Sequence, residues 1–182
     1  MRIIAGKRKG LVIKTIEGDS TRPTRDIVRE ALFSILMNRI PDSKFLDLFA
    51  GSGAIGIEAL SRGADEAYFS DLNPKCTRVI NENIEKAKFS EQAKVFTSDY
   101  KLVLKKLQGS KFDIIYIDPP YNKGLGIDAI EKISQYDLLD ADGVIILETD
   151  TNEEAPDIIG DYEKYDYKRY GRNILNLFRR KG

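Results

Sequence analysis

The sequence predicts an α/β fold built on a parallel sheet covered on both faces. Three observations carry this: five short apolar runs at regular spacing from Phe45 onward, helical stretches between them, and the absence of internal repeats or low-complexity segments. The runs are Phe45-Leu46-Asp47-Leu48-Phe49, Ala67-Tyr68-Phe69-Ser70, Lys94-Val95-Phe96-Thr97, Asp113-Ile114-Ile115-Tyr116-Ile117 and Val144-Ile145-Ile146-Leu147. Strand, helix, strand repeated four times implies parallel pairing, because parallel neighbours need a crossover that a helix supplies.

Taken in order, residues 1 to about 20 place Gly6, Gly10 and Gly18 around short β-branched runs and read as a small basic hairpin or extended arm. Thr21-Arg22-Pro23-Thr24 looks like a helix start, followed by an apolar stripe of Ile27, Val28, Ala31, Leu32, Ile35 and Leu36 at helical spacing. Among the helices between the strands, the clearest runs from Pro74 to about Lys88, since Pro in the first turn brings a helical φ and needs no donor. After Glu148 the rhythm changes. Tyr162 to Tyr170 and Asn173 to Phe178 are two extended segments meeting near Gly171, which predicts a terminal antiparallel hairpin. The whole is expected to form one domain: a basic arm over 1–22, a first helix over 23–40 and an α/β core over 45–182.

Composition narrows the chemistry. With 42% hydrophobic and 32% charged residues the chain reads as an ordinary globular protein. No apolar run approaches the roughly 18 residues of a membrane helix, and no signal-like core follows Met1-Arg2-Ile3-Ile4, so a cytoplasmic location is expected. Cys76 is the single cysteine and histidine is absent, which excludes a disulfide framework, a Cys/His zinc site and a histidine-based triad within one chain. No metal is expected. Catalysis must then rest on carboxylates, Tyr, Lys or Arg, backbone groups, or a cofactor that brings the reactive group. Charge is segregated although the net is zero: residues 1–40 carry nine Lys/Arg against four Asp/Glu, residues 162–182 seven against two, and the stretch between thirteen against twenty-three. Basic ends around an acidic centre suit a polyanion held at the termini.

The acids are placed at strand ends. Asp47 lies in the first predicted strand, Asp71 and Asp99 just after the second and third, Asp118 after the fourth and Glu148 at the end of the fifth. In an open parallel sheet these ends border the ligand crevice. Asp47-Leu48-Phe49-Ala50-Gly51-Ser52-Gly53-Ala54-Ile55-Gly56 ends the first strand in a glycine-rich turn, where Gly51 and Gly53 admit a ligand closely and Gly56 permits tight helix packing. The same G-x-G-x-x-G pattern fits a nicotinamide dinucleotide. An acid ahead of the turn opposes a pyrophosphate but suits an ammonium group. Asp47 toward an amine, Asp71 toward ribose hydroxyls and Asp99 toward an adenine amino group together describe S-adenosylmethionine.

Asp118-Pro119-Pro120-Tyr121, following a predicted strand, is the sharpest motif. Two prolines fix φ and remove two donors, so a rigid carboxylate and a backbone carbonyl can accept both hydrogens of an exocyclic amine while Tyr121 stacks on its base. Such bonding aims the amine lone pair at a methyl sulfonium by positioning and charge stabilisation, without metal or histidine.

Asp47 to Gly56 followed by Asp118-Pro119-Pro120-Tyr121 resembles the S-adenosylmethionine-dependent amino-group methyltransferases. Arg2-Ile3-Ile4-Ala5-Gly6-Lys7-Arg8-Lys9-Gly10, Thr21-Arg22-Pro23-Thr24, Arg29-Glu30-Ala31-Leu32-Phe33 and Tyr170-Gly171 resemble the bacterial small-subunit ribosomal RNA guanine-N2 methyltransferase family, over nearly the whole chain. The resemblance implies a Rossmann-like class I methyltransferase fold, a seven-stranded mostly parallel sheet with an antiparallel last strand, in which 45–182 is the catalytic core. It also implies methylation of one guanine amino group in 16S ribosomal RNA of the assembled or assembling small subunit; apart from the resemblance, a monomer is expected rather than an oligomer. On this carry-over Asp118, Pro119, Pro120 and Tyr121 hold the target base. Asp47, Phe49, Gly51, Gly53, Asp71, Leu72, Asp99 and Tyr100 form the cofactor site. Lys7, Arg8, Lys9, Arg22, Thr24, Arg25 and Arg29 face RNA, with Arg22 or Thr24 alternatively reaching the cofactor carboxylate.

Other readings stay open on the residues alone. Adenine-N6 or cytosine-N4 amines offer the same two hydrogens, on other RNA or DNA. A nicotinamide oxidoreductase would use the glycine turn but lacks a histidine. An inactive RNA-binding scaffold would not need Asp47, Gly51, Gly53, Asp118 and Tyr121 intact.

Overall fold

The computed structural model describes residues 1–17, 23–121 and 123–182, the side chains of Pro23 and Thr24 excepted. Helix α1 (Pro23–Ile35) precedes an alternation of β1 (Lys44–Asp47), α2 (Ala54–Ser61), β2 (Glu66–Asp71), α3 (Pro74–Ala87), β3 (Ala93–Thr97), α4 (Tyr100–Lys106), β4 (Phe112–Ile117), α5 (Leu125–Gln135) and β5 (Leu139–Asp150). Then come β6 (Ile158–Ile159), β7 (Tyr162–Tyr170) and β8 (Asn173–Arg180). The sheet runs β3-β2-β1-β4-β5-β8-β7-β6; β1 to β5 are parallel and β8 is antiparallel to β5.

The alternation of side chains explains the two-sided burial. Phe45, Ile114, Tyr116, Val144 and Ile146 pack on one face with Leu32 of α1, Ile57 of α2 and Ile80 of α3. Leu46, Ile115, Ile117, Ile145 and Leu147 pack on the other with Val103 and Leu104 of α4 and Ile130 and Ile133 of α5. Strands buried on both faces read as continuous apolar runs, which is why they stood out in the sequence.

Two features of the sheet differ from expectation. Among the described residues the sheet has eight strands where seven are expected, because Ile158–Ile159 turns through Gly160, at φ +55°, to pair with Tyr162 and Glu163. The fifth strand also starts earlier than Val144: a register shift between Phe112 and Ile114 lets Leu139 join the ladder opposite Phe112.

The amino-terminal segment is a docked hairpin. Arg2 bridges Val12, and the Ile3 amide donates to the Leu11 carbonyl at 2.9 Å around a 3-10 turn at Gly6–Arg8. Glu58 of α2, fully buried, accepts from the Ile4 and Ala5 amides at 2.9 and 3.0 Å and pairs with Arg62. A Cβ on Gly6 would sit 1.8 Å from the Ser61 carbonyl oxygen, so only glycine allows this approach.

Helix α1 is rotated from its predicted phase. Val28, Leu32, Phe33 and Leu36 are buried as an apolar stripe requires, but Arg29 is buried beside them at 5% exposure while Ile27 is 56% exposed. The helix presents a guanidinium inward because a cavity lies there.

Candidate active site

Strand order reverses between β1 and β4, so the carboxyl ends of these two strands open a crevice. Asp47 is the last residue of β1 and pairs with Tyr116 of β4; Asp118 follows two residues later. Leu48 donates to the Tyr116 carbonyl at 3.1 Å and Ala50 to the Ser70 carbonyl at 2.8 Å, pinning the turn across both neighbouring strands.

A cavity of about 260 Å³ opens at this edge. Of the residues expected from the sequence, it is lined by Asp47, Phe49, Gly51, Asp118 and Tyr121. Arg25 and Arg29 of α1, Tyr116 and Glu148 share its wall. Gly51 has φ +57° and nothing within 4 Å of a would-be Cβ, so its backbone faces open space. Its amide donates to Asp71 at 3.0 Å. Gly53 caps α2 in a left-handed conformation, and a Cβ on Gly56 would lie 2.3 Å from the Phe69 ring, so backbone conformation accounts for the first glycine and packing for the second.

The other expected residues line the same sheet edge rather than the cavity. Asp71 receives the Gly51 and Asn73 amides, and Leu72 beside it is 69% exposed. Asp99 caps α4 through the Lys101 amide at 2.8 Å. Tyr100 is buried, packs its ring tilted at 45° against Phe49 with centroids 5.2 Å apart, and donates to Asp128 at 2.6 Å. Pro119 is buried against α5 while Pro120 is exposed.

Two of the acids, Asp47 and Asp118, are strongly perturbed. Asp47 is 1% exposed, and burial pushes its carboxyl up to about 7 despite the Gly56 amide at 3.2 Å. Asp118 is pushed well above the usual carboxylate range by burial, then by Glu148; Arg25 opposes this and Asp47 adds to it. Tyr116 and Tyr121 are both raised, chiefly by burial and by the same acids. Opposite the acids, Arg29 donates through Nη2 to the Arg2 carbonyl at 2.8 Å and to Asp26 at 3.3 Å, while its Nε and Nη1 are buried without a partner.

Two participants, Tyr116 and Asn173, were not singled out by sequence reasoning, and Glu148 was placed among the strand-end acids without a role of its own. Tyr116 donates a short hydrogen bond to Glu148, and Asn173 at the start of β8 reaches both Glu148 and, at 3.2 Å, the Tyr121 hydroxyl. An acid inside the apolar run Val144 to Leu147 and its continuation was the available signal; Asn173 had none, because it arrives from the distant hairpin.

A family model described as Conserved hypothetical protein 95 matches residues 1–179. The Escherichia coli "Ribosomal RNA small subunit methyltransferase D" is 31% identical over 99% of this chain and 90% of its own. The chain belongs to this family of ribosomal RNA small subunit methyltransferases D. A Bacillus subtilis relative, "Putative rRNA methyltransferase YlbH", is 34% identical over the full length of both chains. The solved structure of the Escherichia coli "Putative methyltransferase yhhF" superposes with a TM-score of 0.88 at 31% identity, covering 100% of this chain and 98% of that one. The architecture is thus the class I methyltransferase fold.

In this member of the methyltransferase D family the basic residues divide. Lys7 and Lys9 are exposed, as is Arg25. Arg8 instead donates to the Ala87 carbonyl at 2.6 Å and lies over the Phe89 ring. Arg29, expected to face RNA, instead forms the cavity wall, because the helix phase buries it. Arg22 and the Thr24 side chain lie outside the described residues. Among those described, no helix is long and apolar enough to cross a membrane.

Proposed function

We propose that the protein transfers a methyl group from S-adenosylmethionine to the exocyclic N2 amine of a guanine in 16S ribosomal RNA of the small subunit. One observation carries this reading: the Asp118 to Tyr121 motif and the Asp47 to Gly51 turn face one another in a single cavity at the switch point of the sheet.

The cavity fits the amino-acid end of the cofactor by charge. Asp47 on one wall complements an ammonium group, and the orphaned Nε and Nη1 of buried Arg29 on another complement a carboxylate, as an amino-acid tail requires. Gly51 supplies the open backbone between them. Asp71 and Asp99 extend the acidic edge toward β2 and β3, where a ribose and an adenine amine find acceptors. When bound, the cofactor supplies an electrophilic methyl group on sulfonium.

The chain's own residues prepare the acceptor. Asp118 and the carbonyl of Pro119 accept the two hydrogens of the amine, which draws its lone pair out of the ring plane. Tyr121, 40% exposed at the mouth, stacks on the base. Once the nitrogen carries the methyl group it is cationic, and Asp118 in its ionised form takes the released proton. The raised proton affinity of Asp118 suits that step. RNA is held by Arg25 at the cavity and by Lys7 and Lys9 on the amino-terminal hairpin, which docks at the far ends of α2 and α3, and the protein acts in the cytoplasm as a monomer.

The deciding experiment uses small subunits and naked 16S RNA from cells lacking the protein, with labelled S-adenosylmethionine and nucleoside analysis. The expected product is N2-methylguanosine, lost in Asp118→Ala with cofactor affinity retained. Label in N6-methyladenosine or N4-methylcytidine would overturn the base assignment.

A further inference from the structure

Beside Asp118 the cavity holds a carboxylate, that of Glu148, which the transfer step does not use. Ile117 pairs with Leu147 in the β4–β5 ladder, so Asp118 and Glu148 are the next lateral pair and project from the same sheet face. Glu148 is 6% exposed and still reaches the cavity wall. Each of its oxygens takes one donor, Oε2 from the Tyr116 hydroxyl and Oε1 from Asn173, which leaves a lone pair on each for a ligand. Asn173 also ties this carboxylate to the Tyr121 hydroxyl. A held acceptor therefore lies beside the carboxylate that grips the amine and beside the ring that stacks on the base.

We propose that Glu148 reads the base: it accepts the N1–H of the guanine whose 2-amino group is held by Asp118. This rests on the guanine-amine reading above and deepens it. Guanine is the base whose amine has a ring N–H as its direct neighbour, so its edge offers adjacent donors to adjacent carboxylates. Adenine presents the N1 lone pair beside its amine, and cytosine the N3 lone pair. Either would set a lone pair against a buried carboxylate and leave both unsatisfied, a discrimination that hydrogen-bonding sites enforce strongly. Glu148 is thus a specificity residue, and Tyr116 and Asn173 are positioning residues that act through it.

The test compares guanosine with 2-aminopurine, which keeps the 2-amine but carries a lone pair at N1. Both are placed at the mapped methylation position of reconstituted small subunits, and kcat/KM is measured for the unaltered protein and for Glu148→Gln. The unaltered protein is expected to favour guanosine at least tenfold. Gln can turn its amide toward the N1 lone pair while its carbonyl keeps the Asn173 bond, so Glu148→Gln is expected to lose that preference with unchanged cofactor affinity. An equal preference in both proteins overturns the inference while leaving guanine methylation standing. No N2-methylguanosine from the unaltered protein removes the functional reading and the inference together. Should Glu148→Gln fail to bind cofactor normally, Glu148→Asp replaces it: the acceptor is kept but withdrawn by one methylene, so transfer to guanosine should fall at least tenfold with the preference for guanosine retained. Unchanged transfer in that variant counts against the inference.

Discussion

Asp47 shows how a single residue sets function against stability. Burial raises its folded pKa to about 7, so between about pH 4 and pH 7 the folded state holds a proton that the unfolded state has released. Stability from this group is intact below the unfolded value and declines as pH rises through that window, then stays reduced. Asp47→Asn keeps an acceptor for the Gly56 amide and removes the ionisation. At pH 8, without cofactor, the variant is expected to melt roughly 3 to 8 °C higher, on the order of 1 to 3 kcal/mol, with a smaller gain at pH 5. Its affinity for S-adenosylmethionine should fall about tenfold or more, because an amide does not balance an ammonium charge. Thermal melts at the two pH values and calorimetry check both halves; a gain independent of pH would mean that ionisation is not the cause.

At the scale of elements, legibility followed the physics of burial. The strands were readable because a sheet covered on both faces needs consecutive apolar residues, and α3 was readable from its proline start. The phase of α1 was not, since Arg29 and Ile27 exchange the faces that hydropathy assigns to them, and only a cavity explains an inward guanidinium. Asn173 was equally hidden, as its partners Glu148 and Tyr121 are brought to it by strand pairing. The attachment of the amino-terminal hairpin was also unreadable: it depends on Glu58, which looks like a surface acid on a short helix yet satisfies two amides of the hairpin. Glu58→Ala strands those donors and leaves Arg62 without its carboxylate, so a loss of roughly 2 to 4 kcal/mol is expected. The hairpin carries the Arg2 carbonyl that holds Arg29. Cofactor affinity should therefore fall as well, with hydrogen exchange at Ile4 and Ala5 accelerated first. Protection of those amides equal to that in the unaltered protein would mean that the hairpin docks without Glu58.

Over the whole molecule, the basic ends and the acidic centre take on a spatial meaning. The acids converge at the carboxyl edge of the sheet, the amino-terminal hairpin packs on α2 and α3, and the β7–β8 hairpin closes on the cavity through Asn173. An acidic pocket repels a polyanion, so a ribosomal RNA substrate must be held by the cations around it while one base enters. The cations are not equivalent. Arg8 is spent within the fold on the Ala87 carbonyl and Lys14 is paired at the surface with Glu82, whereas Lys7 and Lys9 stand exposed on the same hairpin. Replacing Lys7 and Lys9 together by Ala should reduce the slope of log affinity against log salt by about 1.4 to 1.8, the release expected for two phosphate contacts, with melting temperature unchanged. Arg8→Ala should do the reverse, lowering stability by about 1 kcal/mol through the lost carbonyl bond and the uncovered Phe89 ring while leaving the slope in place. Binding to 16S RNA across a salt series, measured beside thermal melts of the same three proteins, separates the two roles; an unchanged slope in the double lysine variant would assign the RNA contact to another face of the molecule.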